Sequence, residues 1–344
     1  MNTNANRRPT RLNQHVMVIG ASGTGKSRCF IRPAVFQAVK RKYGTAQGES
    51  VIITDPKGEL FTDLSEFLKD QGYLVRVFNL VNPAHSDSWN CMANLHGDPF
   101  IAQILVDAII SNTSHDKGDH FWDSGESNLL KALMLYVDLD PTLESADKNL
   151  SSVYQMLIQH TERQLSLLFD RLPLDHPARA PYNLFAQASD TVRAGIVLGL
   201  GTRLQALQSP AIQRLISGSG ISLTAPAQQK CAYFVILSDQ HDAFDFLSSL
   251  FFSMLFIELI QFADNMPDGR CPVPVNLVLD ELNNLGTIPA FPRRVSSCRS
   301  RAVQIYMAIQ GLGQLQNRYP DNLWAAGPTV RSNLYGAAKP PEDF

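Results

Sequence analysis

An α/β fold with a mostly parallel sheet and an inserted all-α domain is predicted by three observations. Six short apolar, β-branched-rich runs alternate with helical periodicity, a glycine-rich loop follows the first run, and strand signals nearly vanish between 97 and 225. The runs are Val16–Gly20, Val51–Asp55, Tyr73–Phe78, Ala232–Ser238, Val275–Asp280 and Val303–Ile309. Continuous apolar runs suit strands buried on both faces, and the helical stretches between them suit parallel crossovers. Composition agrees: of 344 residues 44% are hydrophobic and 18% charged, against about 25% charged in an ordinary soluble domain. The formal net charge of −2 carries no global basic signature, so any nucleic-acid contact must be local. Five scattered cysteines without a CxxC pair suggest neither a zinc site nor a disulfide frame, and a reducing cytosol is the simplest compartment.

In chain order, 1–13 form a polar, basic arm without the features of a signal peptide, and 14–96 form the first part of a nucleotide-binding domain. Within it, Gly20, Ala21, Ser22, Gly23, Thr24, Gly25, Lys26 and Ser27 fit the phosphate-cradling pattern GxxxxGK[ST] at every fixed position. The glycines let backbone N–H groups turn inward, and the following helix N-terminus adds partial positive charge. Lys26 would reach the β- and γ-phosphates of ATP, and Ser27 would sit on Mg²⁺. Region 97–225 reads as the all-α insertion: Ile101, Ile104, Leu105, Ala108 and Ile109 keep one helical face, as do Leu129, Leu130, Leu133, Met134 and Val137. A Pro- and Asp-rich loop, Leu172–Pro181, punctuates it. Region 226–323 returns to the sheet. There Phe244–Phe262 is interrupted by Asp245 and Glu258 and suits a helix buried against the sheet better than a membrane span.

The second half of a site appears where the strand Asn276–Leu279 ends in Asp280 and Glu281. Two adjacent carboxylates are costly to bury unless a cation sits nearby. Asp280 would hold Mg²⁺ and Glu281 would orient and deprotonate an attacking water. The densest basic cluster, Arg293 to Arg301, admits three readings: a solvated face, a nucleic-acid backbone contact, or an arginine completing a neighbouring subunit's site. Gln310, at the end of the next strand, would sense the γ-phosphate or water, or simply begin a helix.

Taken together, Gly20–Ser27, Thr54-Asp55-Pro56-Lys57-Gly58-Glu59-Leu60, Asp119-His120-Phe121-Trp122-Asp123, Leu279–Gly286, Cys298–Arg301 and Ala308–Gly311 resemble the TraG/TraD-like coupling proteins of type IV secretion and conjugation. These are FtsK-related DNA-pumping ATPases, and the match covers about 12–323. The resemblance implies a RecA-like P-loop NTPase with an all-α insertion, forming a homo-hexameric ring with ATP and Mg²⁺ at subunit interfaces and single-stranded DNA in its channel. It implies relaxase or relaxosome proteins and secretion-channel proteins as further partners, a cytoplasmic domain, and attachment to the bacterial inner membrane. Arg299, 19 residues after Asp280, matches the arginine finger of related motors, and Gln310 matches their sensing glutamine.

Lys57 and Glu59 read as a structural turn opening a helix. His115, Asp119, His120 and Asp123 fit no common metal cage and read as a polar loop before a helix starting near Gly125. The chain is expected to lack the family's transmembrane anchor, and 324–344 is expected to be an atypical tail without an apolar core strand. A non-motor receptor that docks the DNA-processing complex, or another P-loop translocase or helicase, is the alternative.

Overall fold

The computed structural model describes residues 15–114, 120–237, 244–319 and 331–334. The arm 1–13, His115, Asp119, Ser238 and most of the tail lie outside the described residues. Strands β1 (Val16–Ile19), β4 (Ser50–Asp55), β5 (Leu74–Asn79), β6 (Cys231–Ile236), β7 (Val275–Leu279), β8 (Val303–Ile309) and β9 (Arg331–Leu334) form one sheet. Its order is β5-β6-β4-β7-β8-β1-β9, and every pairing is parallel. Strands β2 (Lys42–Tyr43) and β3 (Ala46–Gln47) make a separate small hairpin. All residues of β4, β6 and β7 are buried, which is why these strands read as unbroken apolar runs.

Helices cover both faces. After a single π-helical turn at Ser27–Ile31, α1 (Arg32–Lys40) and then α2 (Glu59–Asp70) pack on one face, where Val35, Leu64 and Leu68 meet Ile53, Phe234 and Val278. The other face is covered by α11 (Asp245–Asp264), whose Phe251 stacks on Phe78 of β5; α3 (Pro99–Thr113) packs on α11, with later helices following. These are α4 (His120–Leu139), α5 (Leu150–Gln159), α6 (Glu162–Asp170), α7 (Arg179–Ala186), α8 (Asp190–Arg203), α9 (Pro210–Ser217) and α10 (Ala225–Gln228). Helices α12 (Phe291–Cys298) and α13 (Leu312–Arg318) complete the chain's described helices. A single hydrophobic cluster runs from the sheet through α11 and α3 into the bundle of α4 to α9. Helix α3 is the shared wall, packing on α11 with one side and on α4 with the other. Among the described residues α11 is the one helix long and apolar enough to cross a membrane, yet most of it is buried inside the protein. A helix that is apolar all round belongs in such a core.

Two expectations change. The segment before Gly125 is helical rather than a loop, because α4 begins at His120 and its first turns are locked to α8. Arg203 on α8 pairs with both Asp123 and Glu126. Beside this pair the helices meet through glycines, with Ile196 over Gly125, Trp122 over Gly195 and Glu126 over Gly199. The tail does contain a strand: β9 adds to the free edge of β1, pairing Val16 with Arg331 and Ile19 with Leu334. An edge strand needs only backbone pairing on one side, so Arg-Ser-Asn-Leu lacks the apolar signature of the central strands.

The glycine notches separate two substitutions. A Cβ on Gly125 would lie 2.5 Å from Ile196 Cδ1, whereas one on Gly201 meets nothing within 4 Å. Gly125→Val should therefore lower the melting temperature by about 5 °C through overpacking. Gly201→Ala should raise it by about 1–3 °C through helix propensity. Thermal denaturation followed by circular dichroism reads both.

Candidate functional site

Parallel pairing sends the C-terminal ends of β1, β8, β7 and β4 to one edge, and the phosphate loop, Gln310, the acid pair and Asp55 all follow those ends. A cavity of about 310 Å³ opens there. One wall is the glycine loop and the start of its helix, with Gly23, Lys26, Ser27, Arg28 and Arg32. The other is the β4–α2 turn from Asp55 to Leu60, with Asp280 and Glu281 between the two. Gly23 and Gly25 hold φ of 78° and 82°, a left-handed backbone that glycine adopts without penalty, and no atom lies within 4 Å of a Cβ built on Gly23. The loop is anchored to the sheet where Gly20 N donates to Ile309 O at 3.1 Å.

The structure brings the two sequence motifs into direct contact. Ser27 Oγ donates to Asp280 Oδ2 at 2.6 Å, and Thr54 Oγ1 donates to the Asp280 carbonyl at 2.7 Å. Asp280 is 4% exposed, and its second oxygen, Oδ1, is buried with no hydrogen-bond partner. Burial raises the Asp280 carboxyl above its ordinary value; the Ser27 hydroxyl and the Lys26 charge oppose that rise, and the neighbouring Glu281 adds to it. A hydroxyl and a half-satisfied buried carboxylate side by side suit a hard divalent cation, so Ser27 and Asp280 fit a Mg²⁺. Lys26 Nζ donates to the Gly20 and Ala21 carbonyls at 2.6 and 3.0 Å, holding its ammonium across the loop mouth.

Glu281 takes a left-handed backbone, φ 51°, at the start of a 3-10 turn over Leu282–Leu285. Its carboxylate accepts from Gln310 Nε2 at 3.2 Å and from Asn284 Nδ2 at 3.3 Å. Gln310 thus joins the acid pair, as its position after β8 predicts. Arg299 does not. It is exposed in a 3-10 turn, Arg299–Arg301, just before β8 begins, at the sheet edge opposite the cavity. Beside it, His15 is 1% exposed and joins Val295 O to the Ile305 amide. Burial, with a further contribution from Arg299, lowers the His15 pKa to about 4 against the opposing pull of the Val295 bond. Arg301 in the same turn pairs with Asp264.

Sequence reasoning missed part of the wall. Arg28 and Arg32 on the loop helix line the cavity, with Arg32 paired to Asp63; Lys57 and Glu59 do so as well, in the turn that opens α2 as expected. The four-residue spacing of Arg28 and Arg32 after Ser27 was the available signal. Asp55 is 1% exposed; burial raises its carboxyl while backbone N–H groups of the β4–α2 turn, Phe61 N at 2.8 Å among them, pull it down. Among the described residues no group of three or more His, Cys, Asp or Glu side chains is gathered as a metal cage, and Asp123 is committed to Arg203.

A profile of the family described as type IV secretory system conjugative DNA transfer matches residues 2–325. No curated protein matches the chain. Among solved structures, the bacterial conjugative coupling protein TrwBdeltaN70, unbound, superposes with a TM-score of 0.66 at 15% identity, covering 92% of this chain and 67% of its own. TrwB in complex with a non-hydrolysable ATP analogue gives 0.65 at 17% identity, covering 90% and 66%. VirB4 of Thermoanaerobacter pseudethanolicus gives 0.50 at 15% identity, covering 92% and 76%. The chain therefore has the RecA-like P-loop fold of TrwB and spans about two thirds of the TrwB structures' length.

The raised Asp280 carboxyl has a signed consequence. The folded state binds this proton more tightly than the unfolded chain, so stability falls as pH rises through the window above the unfolded carboxyl value. At pH 7 with EDTA present, Asp280→Asn should melt about 1–3 °C higher than wild type, and the gap should close as pH falls toward 4. A lower melting temperature for the variant at pH 7 would contradict the assignment.

Proposed function

The chain belongs to the type IV secretory system conjugative DNA transfer family, and from that membership we propose that it is an ATP-hydrolysing coupling protein. It would pump single-stranded DNA with an attached relaxase-type protein into a secretion channel, as one subunit of a homo-hexameric ring held at the bacterial inner membrane. The observation that carries the nucleotide chemistry is the 2.6 Å contact between Ser27 and Asp280 beside Lys26. TrwB structures described with ADP and Mg²⁺ and with ATP or GTP analogues support the same ligands here, ATP and Mg²⁺.

Each residue then has a task. The loop from Gly20 to Ser27 cradles the phosphates, and Lys26 exchanges its loop carbonyls for β- and γ-phosphate oxygens. Ser27 and Asp280 would hold Mg²⁺, which supplies charge neutralisation at the phosphates. Glu281 takes a proton from water as the water oxygen bonds the γ-phosphorus and the bond to ADP breaks. Gln310 donates to the Glu281 carboxylate and would register whether the γ-phosphate is present. Arg299, on the opposite sheet edge, would serve a neighbouring subunit's cavity and stabilise the charge developing on the transferred phosphoryl group.

Purified protein should hydrolyse ATP faster when single-stranded DNA is added. Glu281→Gln should lower kcat by about 100-fold or more while ATP still binds, and Lys26→Ala should weaken binding itself. Retained turnover in Glu281→Gln removes that residue as the base. Arg299→Ala should bind ATP and not turn it over. Mixing it with Lys26→Ala subunits should restore some turnover, because a mixed interface can pair an intact cavity with an intact arginine. A mixture that stays silent argues against a role for Arg299 across the interface.

A further inference from the structure

Helix α3 ends one residue from two unrelated polar contacts, and together they join the helical bundle to the loop carrying Glu281. Asn112 in the last turn of α3 pairs with the backbone of Thr287 in both directions. Its Nδ2 donates to Thr287 O at 2.9 Å, and Thr287 N donates to its Oδ1 at 2.5 Å. This is the pairing a neighbouring strand would offer, and it fixes an irregular loop at one register. The fit is close: a Cβ on Gly286, which holds φ 68°, would lie 2.5 Å from Asn112 Oδ1. The same loop is held from the sheet side by Ser249, whose Oγ donates to Thr287 O, and by Ser248, whose Oγ donates to Leu285 O. From Thr287 only Gly286 and the 3-10 turn separate this clamp from Glu281, whose left-handed backbone needs support from its surroundings.

On its other side, α3 is tied to the bundle. Arg203 of α8 donates from Nη1 to Ser114 Oγ at 2.8 Å and to Thr113 Oγ1 at 3.4 Å, while Ser114 Oγ donates to Asp123 Oδ1 at 3.1 Å. Arg203 also pairs with Asp123 and Glu126 of α4. A displacement of α4 against α8 therefore acts on Thr113 and Ser114, the residues adjoining Asn112.

We propose that Asn112 is a positioning residue through which the helical bundle sets the conformation of the Glu281 loop, so that events on the bundle control ATP turnover. The proposal rests on the hydrolytic reading above. It assigns Asn112 no contact with nucleotide, and its effect runs through Thr287 and the 3-10 turn to Glu281.

The test combines hydrogen–deuterium exchange on nucleotide-free protein with steady-state ATPase kinetics. In Asn112→Ala, amides from 282 to 288 should exchange about 10-fold faster while β7 and the phosphate loop keep their protection. The kcat per nucleotide-binding site, with sites counted by ATP-analogue titration, should fall about 10-fold with KM for ATP within twofold, whereas loss of folding would lower the number of sites and leave kcat per site unchanged. Asn112→Asp, which keeps the acceptor for Thr287 N but sets a carboxylate oxygen against the Thr287 and Ala108 carbonyls, should show the same pattern and serves if the alanine variant does not fold. Arg203→Gln should raise exchange at 282–288 without touching that segment, and its effect on kcat should be less than additive with Asn112→Ala. Unchanged exchange at 282–288 overturns the proposal, as does faster exchange with unaltered kcat, or full additivity of the two variants. A wild-type protein that never hydrolyses ATP sinks the hydrolytic reading instead, and the exchange data still show whether the clamp exists.

Discussion

The contact between the Ser27 hydroxyl and the Asp280 carboxylate depends on β1 and β7 running out toward the same end of the sheet in a fixed register, although β8 lies between them. Register secures this. Ile19 is level with Ile309, and Leu279 with Met307 and hence with Met17, so β7 stops two residues before β1 and the residues following both strands emerge at one edge. A residue's slip in β7 would turn Leu277 and Leu279 from one packed face toward the other and carry Asp280 away from Ser27. Burial of both faces therefore enforces the alignment of the site: the apolar core specifies the register, and the register specifies the chemistry.

That arrangement places charge where charge is disfavoured. Asp280 and Asp55 both lie at the ends of fully buried strands, and both carboxyls are raised by burial. Asp55 is answered by backbone N–H groups of the turn that follows it, a self-contained solution that needs no ligand. Asp280 is answered only in part, by Ser27 at one oxygen, and the other is left buried without a partner. Two acids of similar burial thus differ in what they ask of their surroundings. Asp55 organises the wall, and Asp280 keeps one buried oxygen that no described side chain answers.

The strands and both nucleotide motifs were legible because each is local: a buried parallel strand is an apolar run, and a phosphate loop is eight contiguous residues. The polar joints were not. Asn112 meets Thr287 across 175 residues, and Arg203 meets Asp123 across 80, with nothing in either neighbourhood to mark a partner. Misreading the start of α4 has the same origin, since Asp119 to Asp123 looks like a polar loop until Arg203 answers Asp123 and Gly195 admits Trp122. Strand β9 was hidden for a different reason. Ser332 and Asn333 add to an edge by backbone pairing, which leaves no pattern in side-chain polarity.

Arg299 closes the physical argument by being in the wrong place for one chain alone. The whole of β8 separates it from Gln310, and seven residues of strand span roughly 20 Å. It is also held there, because His15 joins Val295 of α12 to Ile305 of β8 and ties that edge to the start of β1. An arginine whose backbone is held at one edge and a cavity at the other cannot meet by side-chain rotation. If Arg299 acts on phosphate at all, it must act on another copy's, and the contact joining them uses two different surfaces. Contacts of that kind are heterologous, and where the rotation between copies closes they generate rings. Under the proposed function, the exposed Arg299 opposite the cavity is thus the feature on which a shared site between subunits would depend.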